Sequence, residues 1–281
     1  MSTWFITGAS RGFGARIAEL ALAKGDNVAA TARNHRAITS RLGDHPNLLP
    51  LPLDVTDEPQ AAAAAAAAIE RFGRIDVLLN NAGYGLLGAV EEATAAEVEA
   101  LYRTNVFGLL TVTRAILPHM RAQRSGRILN ISSIGGYRAG AGFGVYCSTK
   151  FAVEGLSEAL HAELAPLGIH VTVIEPGYFR TDFLDSSSLT VSPTRIADYD
   201  QTAGAVRTHA ADLNHEQPGD PDKLAKVLVD FATAANPPMR LPLGSDTVAA
   251  IEDKHASDAA ILAEWRKVSV STDFVQTGPA V

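Results

Sequence analysis

Short, unalternating apolar runs punctuate the chain near residues 3–7, 27–31, 48–53, 75–80, 127–132 and 170–175, and they are rich in Val, Ile and Leu. Runs of that length suit parallel strands buried on both faces. Helical stretches lie between them near 12–24, 58–72, 94–121 and 146–165. Strand and helix alternating in this way predict an α/β fold: a single-domain, doubly wound parallel sheet with helices on both faces. No composition break or long Pro/Gly/Ser linker divides the first 180 residues, so the reading is one domain over 1–281. From Tyr178 to Pro221 the alternation weakens, and Ser, Thr, Asp, Gly and His become frequent. So long a stretch inside a compact domain is more often a functional lid than a passive loop, here about 182–219. A helix near 222–235, a short strand near 239–243 and a helix near 247–268 close the chain, within a C-terminal helical extension of about 246–281.

Eight alanines, Ala61 to Ala68, form a low-complexity segment. Asp57 and Glu58 suit a helix start, and Pro59 suits its first turn. Alanine is the best helix former, and a smooth helix approaches a sheet closely, so this run is structural.

Composition then narrows the function classes. The 281 residues are 47% hydrophobic and 20% charged, which is globular composition. A net charge of −7 argues against a non-specific nucleic-acid or anionic-membrane binder. The longest apolar run, Ala61 to Ile69, is too short to span a bilayer. Cys147 is the one cysteine, so neither an internal disulfide nor a cysteine-based zinc cluster is expected. The eight histidines show no ligand spacing, and no metal is expected. A first strand starting at Thr3 leaves no room for a leader, and a cytoplasmic location is expected. Trp4 and Trp265 read as packing residues near the two ends.

The first strand runs through Thr7-Gly-Ala-Ser-Arg-Gly-Phe-Gly14 into a helix. Gly8, Gly12 and Gly14 are spaced G-x-x-x-G-x-G, unlike the common G-x-G-x-x-G fingerprint, and no Walker Gly-Lys-Ser/Thr follows. Glycines in a strand–turn–helix let the backbone approach a pyrophosphate, which sits on the helix N-terminus. The common fingerprint ends its second strand with an acidic residue that holds the adenosine ribose 2′-hydroxyl. Here that region reads Val28 to Asn34 with Arg33 and no acid, so a 2′-phosphate and hence NADP(H) is favoured over NAD. Ser10 and Arg11 are placed to add two phosphate contacts.

Further along, Tyr146 and Lys150 stand four apart at the start of a helix and share one face. A free phenol near pKa 10 is a poor acid or base at neutral pH. An ammonium about 5 Å away contributes roughly 3 kcal/mol at an effective dielectric near 20, about two pKa units. An oxidised nicotinamide adds positive charge of the same sense, and together they bring the phenol into range for acid–base work.

With these elements in view, the chain resembles the classical short-chain dehydrogenase/reductase family over roughly residues 3–245. The resemblance rests on Thr7 to Gly14, Asp54-Val55, Asn80 to Gly83, Asn105, Ser133, Tyr146 to Lys150 and Pro176 to Thr181, all in the family's order. It implies a Rossmann-type fold and roles for these residues. Tyr146 would protonate the carbonyl oxygen, and Lys150 would lower its pKa and hold the nicotinamide ribose. Ser133 would bond the substrate oxygen. Asn105 would kink its helix and hold a proton-relaying water. Gly8, Ser10, Arg11, Gly12, Phe13 and Gly14 would form the dinucleotide turn, with Arg33 at the 2′-phosphate. Asp54 and Val55 would meet the adenine, and Asn81, Ala82 and Gly83 would pass under the adenosine ribose. Pro176, Gly177, Phe179 and Thr181 would fix the carboxamide, with Phe179 standing where the family places a branched aliphatic. Homodimers or homotetramers are implied as well. Within the family, Ala30 to Asn34 and Glu175 to Phe183 look most like the branch related to hydroxysteroid and retinol dehydrogenases.

The expected function is an NADP(H)-dependent oxidoreductase that interconverts a small-molecule ketone or aldehyde and its alcohol. One alternative is a dinucleotide-sensing protein without turnover, which has no reason to keep Asn105, Ser133, Tyr146 and Lys150 together. Another is an NAD-dependent isomerase or epimerase, for which too few residues follow Pro176 to build the usual substrate domain.

Overall fold

The structure is a computed structural model that describes residues 1–274. The first half alternates β1 (Thr3–Thr7), α1 (Gly12–Ala23), β2 (Asn27–Ala32), α2 (Arg36–Leu42), β3 (Leu48–Pro52), α3 (Glu58–Phe72) and β4 (Val77–Asn80). Then come β5 (Gly85–Leu87), α4 (Ala95–Tyr102), α5 (Leu109–Gln123), β6 (Gly126–Ile131), α6 (Gly144–Leu164) and β7 (Ile169–Pro176). The chain ends with β8 (Leu189–Val191), α7 (Ala205–Leu213), α8 (Pro221–Phe231), β9 (Arg240–Leu243) and α9 (Ser245–Val270).

Seven strands form one parallel sheet in the order β3-β2-β1-β4-β6-β7-β9. The strand order reverses between β1 and β4, and in such sheets the ligand crevice opens there, at the carboxyl ends. Successive side chains of a strand point to opposite faces. Accordingly Trp4 and Ile6 of β1 join the core under α1 and α8, while Phe5 joins the core under α3, α5 and α6. Between the layers, Asn80 donates to Asn130 Oδ1 at 2.9 Å, and Asn130 donates to Ser157 at 2.8 Å. These bonds tie β4, β6 and α6 together just below the carboxyl edge.

The alanine run lies in α3, capped by Asp57, whose carboxylate accepts from the Gln60 N–H at 2.9 Å. Ala61, Ala64, Ala65 and Ala68 are its buried face, and the lack of larger side chains lets α3 lie close to the sheet and α5.

The expected helix over 94–121 is interrupted: a π-helical segment, Arg103–Gly108, separates α4 from α5. α2 has one buried residue, Ile38, and so shows no period in the sequence. The lid contains β8, which pairs with β5 in a separate two-stranded parallel sheet, and α7. Trp4 is a core residue, but Trp265 is 54% exposed on α9, so its expected packing role is wrong. Residues 275–281 of the expected C-terminal extension lie outside the described residues. Among the described residues no helix is long and apolar enough to cross a membrane.

The close approach of α3 is testable. Ala65→Leu is expected to cost about 1–3 kcal/mol by overpacking, whereas Ala62→Leu on the exposed face changes stability by less than about 0.5 kcal/mol. Chemical denaturation of the two variants measures the difference.

Candidate active site

The carboxyl ends of β1, β2, β4, β6 and β7 open onto one cleft of about 1190 Å³. At one end is the turn between β1 and α1. Gly8 and Gly12 take left-handed φ angles of +66° and +57°, which side-chain-bearing residues rarely adopt. Gly14 stands behind the cleft wall. A Cβ there would lie 2.6 Å from the Gly8 carbonyl oxygen and 2.7 Å from Asn81 Nδ2. Asn81 holds this approach by donating to the carbonyls of Thr7 and Gly8 at 2.9 and 3.0 Å. The Thr7 hydroxyl, absent from the sequence expectations, accepts from the N–H groups of Asn81 and Ala82 at 2.9 and 3.0 Å. Gly83 continues this wall, where a Cβ would lie 3.1 Å from Asn105 Oδ1.

Arg33 and Asn34 follow β2 and are exposed at the cleft. Asp54 and Val55 follow β3 and line the same end. The Thr56 N–H, at 3.0 Å from the Asp54 carboxylate, holds that carboxyl below its ordinary range, with smaller help from the Thr56 hydroxyl and Arg33. Ser10, Arg11 and Phe13 also line the cleft. Arg11, expected on a phosphate, donates to the Ser187 carbonyl of the lid. The reason is reach: the lid folds back over the glycine turn and presents an acceptor to it. Phe13 meets Phe179 edge to face with centroids 5.5 Å apart, so the aromatic at 179 clasps the glycine turn.

At the closed end, Tyr146 and Lys150 occupy the first turns of α6, both buried. Tyr146 lies between the rings of Phe143 and Phe183, at 6.0 and 5.6 Å. Lys150 Nζ is 5.7 Å from the Tyr146 ring centroid and donates to the Ile131 carbonyl at 2.9 Å. Ser133 precedes a short 3-10 turn, accepts from the Gly135 N–H at 3.1 Å, and lies beside the Tyr146 phenol. The Ser132 hydroxyl lies beside Glu154.

Asn105 sits in the π-helical segment, buried behind Gly83. It accepts from the Tyr84 N–H at 3.1 Å and donates to the Tyr84 carbonyl at 2.9 Å. The bulge turns this amide toward the loop after β4, a use of π-bulges common at functional sites. Its second donor reaches Thr149 on α6 at 3.3 Å.

Burial pushes the Tyr146 phenol above its ordinary range, and the Ser133 hydroxyl works against that. Desolvation is the largest influence on this phenol. Burial likewise lowers the Lys150 ammonium to about 8, with Glu154 opposing it.

Pro176, Gly177, Phe179 and Thr181 line the cleft after β7. The Tyr178 N–H donates to Asp246 at 2.7 Å, and a Cβ at Gly177 would collide with that carboxylate. Asp246 belongs to the first turn of α9, far along the chain from every motif that marks the cleft. Its one local signal is a helix start after Gly244. Phe143, Phe183, Leu184, Leu189 and Val206 make the open side beyond Tyr146 largely apolar.

A doubly wound sheet with a glycine turn, a switch-point cleft and a Ser–Tyr–Lys group at its closed end places the chain among Rossmann-type oxidoreductases. The chain belongs to the short chain dehydrogenase family, whose pattern matches residues 2–191. It is 39% identical over 275 residues to Oxidoreductase BOA17 of Botryotinia fuckeliana, covering 96% of this chain and 98% of that one. It is 38% identical over 240 residues to a 3-ketodihydrosphingosine reductase of Bacteroides thetaiotaomicron, covering 85% and 86%. A solved short-chain dehydrogenase from Streptomyces avermitilis superposes with a TM-score of 0.90 at 42% identity, covering 97% and 99%. ElxO, solved with NADP bound, superposes with a TM-score of 0.73 at 26% identity, covering 88% and 99%.

The residues present fit a dinucleotide, because the turn leaves open space at Gly12 while Gly14 admits no Cβ. Gly14→Ala is expected to weaken NADPH binding at least about tenfold, as a displaced Asn81 or Gly8 spoils the turn. Equilibrium titration followed by tryptophan fluorescence measures this, and unchanged affinity would show that the close approach is dispensable.

Proposed function

We propose that the chain is an NADP(H)-dependent reductase/dehydrogenase acting on a ketone or aldehyde and its alcohol, with Tyr146 as general acid and base. The observation that carries this reading is the Ser133–Tyr146–Lys150 group at the closed end of a dinucleotide cleft. The dinucleotide supplies or accepts a hydride at its nicotinamide. The protein's part is to place the substrate carbonyl and manage one proton.

In reduction, negative charge develops on the substrate oxygen. The Ser133 and Tyr146 hydroxyls meet that oxygen, and Tyr146 passes its proton to it. The phenolate left behind is stabilised by the Lys150 ammonium, held on that side of the ring by the Ile131 carbonyl. Since burial alone raises the phenol, the positive charge of an oxidised nicotinamide is a needed part of the balance. Asn105 positions the loop through Tyr84 and the helix through Thr149. The apolar open side suits a substrate with hydrocarbon bulk beside its carbonyl. The relative named as a 3-ketodihydrosphingosine reductase supports ketone reduction.

Arg33 supports the phosphate-bearing cofactor. No acidic side chain ends β2 to bond a ribose hydroxyl, and the guanidinium projects at the adenosine end of the cleft. The structure of ElxO with NADP supports the same choice.

Tyr146→Phe is expected to cut kcat at least about 100-fold while leaving NADPH affinity within about threefold, since only the proton-bearing oxygen is lost. NADPH consumption with a panel of ketones reads this directly. Retained turnover would remove Tyr146 from the chemistry, and a tightly held cofactor without net consumption would favour an epimerase.

Arg33→Asp is expected to weaken NADPH binding about 10- to 100-fold, the loss of charge-assisted bonds worth roughly 1.5–3 kcal/mol. NADH has no phosphate there, so its affinity holds or improves. The ratio of kcat/KM for the two cofactors is the measurement; an unchanged ratio would sink the NADP assignment and leave the hydride chemistry standing.

A further inference from the structure

Glu154 and Glu175 are 4% and 1% exposed, and they face each other between α6 and β7 behind the closed end of the cleft. Among the described residues, none of their four carboxylate oxygens receives a hydrogen bond when both are treated as ionised. The one cation between them is Arg240 of β9, with Nη1 3.3 Å from Glu154 and 3.6 Å from Glu175. Arg240 is shared with a third carboxylate, Glu158, at 3.3 Å, and lies over the Tyr137 ring at 5.7 Å. Two buried carboxylates beside a cation already divided three ways cannot both stay charged. One proton between them lets a neutral carboxyl donate to its ionised neighbour and leaves a single negative charge.

That charge is placed to act on the cleft. Tyr146, Lys150 and Glu154 succeed each other at four-residue intervals on one face of α6. We propose that Glu154 and Glu175 share one proton, and that the charge they retain keeps the buried Lys150 protonated, which makes Glu154 a positioning residue for the Tyr146–Lys150 centre. The proposal rests on Lys150 acting as the cationic partner of Tyr146.

Every element packed on the pair contributes a group to this balance. α6 contributes Lys150 and Glu158, and β9 contributes Arg240. The end of β6 contributes the Ser132 hydroxyl, which is buried beside Glu154. The turn after Ser133 contributes Tyr137, whose hydroxyl bonds His255 of α9. Burial, and then each other's charge, push Glu175 up to about 7, and burial raises Glu154 as well. In the opposite direction, Glu154 offsets part of the burial that lowers Lys150 to about 8.

The two carboxyls make opposite predictions for the lysine. In Glu154→Gln the remaining charge moves to the more distant Glu175, so Lys150 loses its proton about one pH unit lower. In Glu175→Gln the like-charged neighbour is gone, Glu154 is fully ionised, and Lys150 loses its proton at higher pH. A general loosening of the fold would move both variants the same way. The experiment is an NMR titration of the full chain with lysine labelled at Cε and Nζ, the Lys150 signal being assigned by its loss in Lys150→Arg. The alkaline limb of kcat/KM is expected to follow the same two directions.

Opposite displacements support the pair. Displacement in one direction for both variants, or none for either, overturns it. If Glu154→Gln does not fold, Glu175→Gln decides alone, because a zero or downward displacement contradicts the proposal. The titration needs no turnover. If no carbonyl is reduced by the wild type, the proposed reaction fails while the shared proton is still confirmed or overturned.

Discussion

A lysine with 7% of its surface exposed, Lys150, is expensive to keep charged, and the closed end of the cleft is built around it. Its compensations are few and directional. The Ile131 carbonyl accepts one of its protons, the Tyr146 ring lies on one side, and a carboxyl follows one turn further along α6. Each compensation fixes an element. Ile131 is the last residue of β6, so the start of α6 must cross the end of that strand. The chain makes the crossing through Ser132, Ser133 and a tight turn at Gly135 and Gly136, which leaves Ser133 beside the phenol and Ser132 behind it.

The same carboxyl edge carries the dinucleotide turn, and polar side chains join the two. Thr7 and Asn81 bind β1 to β4, and Asn80 and Asn130 bind β4 to β6. A buried amide N–H without a partner is costly, so these bonded amide donors specify one register for the strand ends. Asn105 does the equivalent from the far side. The π-helical segment costs regular helix geometry and returns an amide aimed at the Tyr84 backbone. Displacing any one of these side chains moves the wall against which the cofactor and the phenol are both registered.

Much of this was legible from the chain because it is local. The seven expected strands, the glycine turn and the Tyr146–Lys150 face each follow from a few neighbouring residues, and all are present. Elements without a local signal were not legible. α2 buries Ile38 alone, and β5 and β8 are three-residue strands whose pairing joins Gly85 to Leu189. Long-range side-chain partners were equally silent. The Ser187 carbonyl that accepts from Arg11 and the Asp246 carboxylate that accepts from the Tyr178 N–H both lie far along the chain from their partners. The desolvation of the phenol was silent for a related reason. Spacing reveals the nearby ammonium but not how thoroughly Phe143 and Phe183 exclude water, and desolvation is the largest effect.

The segment over 182–219, expected as a lid, touches both ends of the cleft. At its outer edge, buried Glu92 accepts from the N–H groups of Ala89 and Ile196 at 2.7 and 3.0 Å and pairs with Arg207 of α7. The Ile196 N–H is foremost in holding that carboxyl below its ordinary range. With β8 on β5, this fixes the lid's far side to the body. At its inner edge, the lid touches the glycine turn through Ser187 and Arg11, and its Phe183 forms a wall of the Tyr146 site. One segment therefore spans from the pyrophosphate end to the reacting end. Its outer side is held by the buried Glu92–Arg207 pair, and its inner side by the half-buried Arg11.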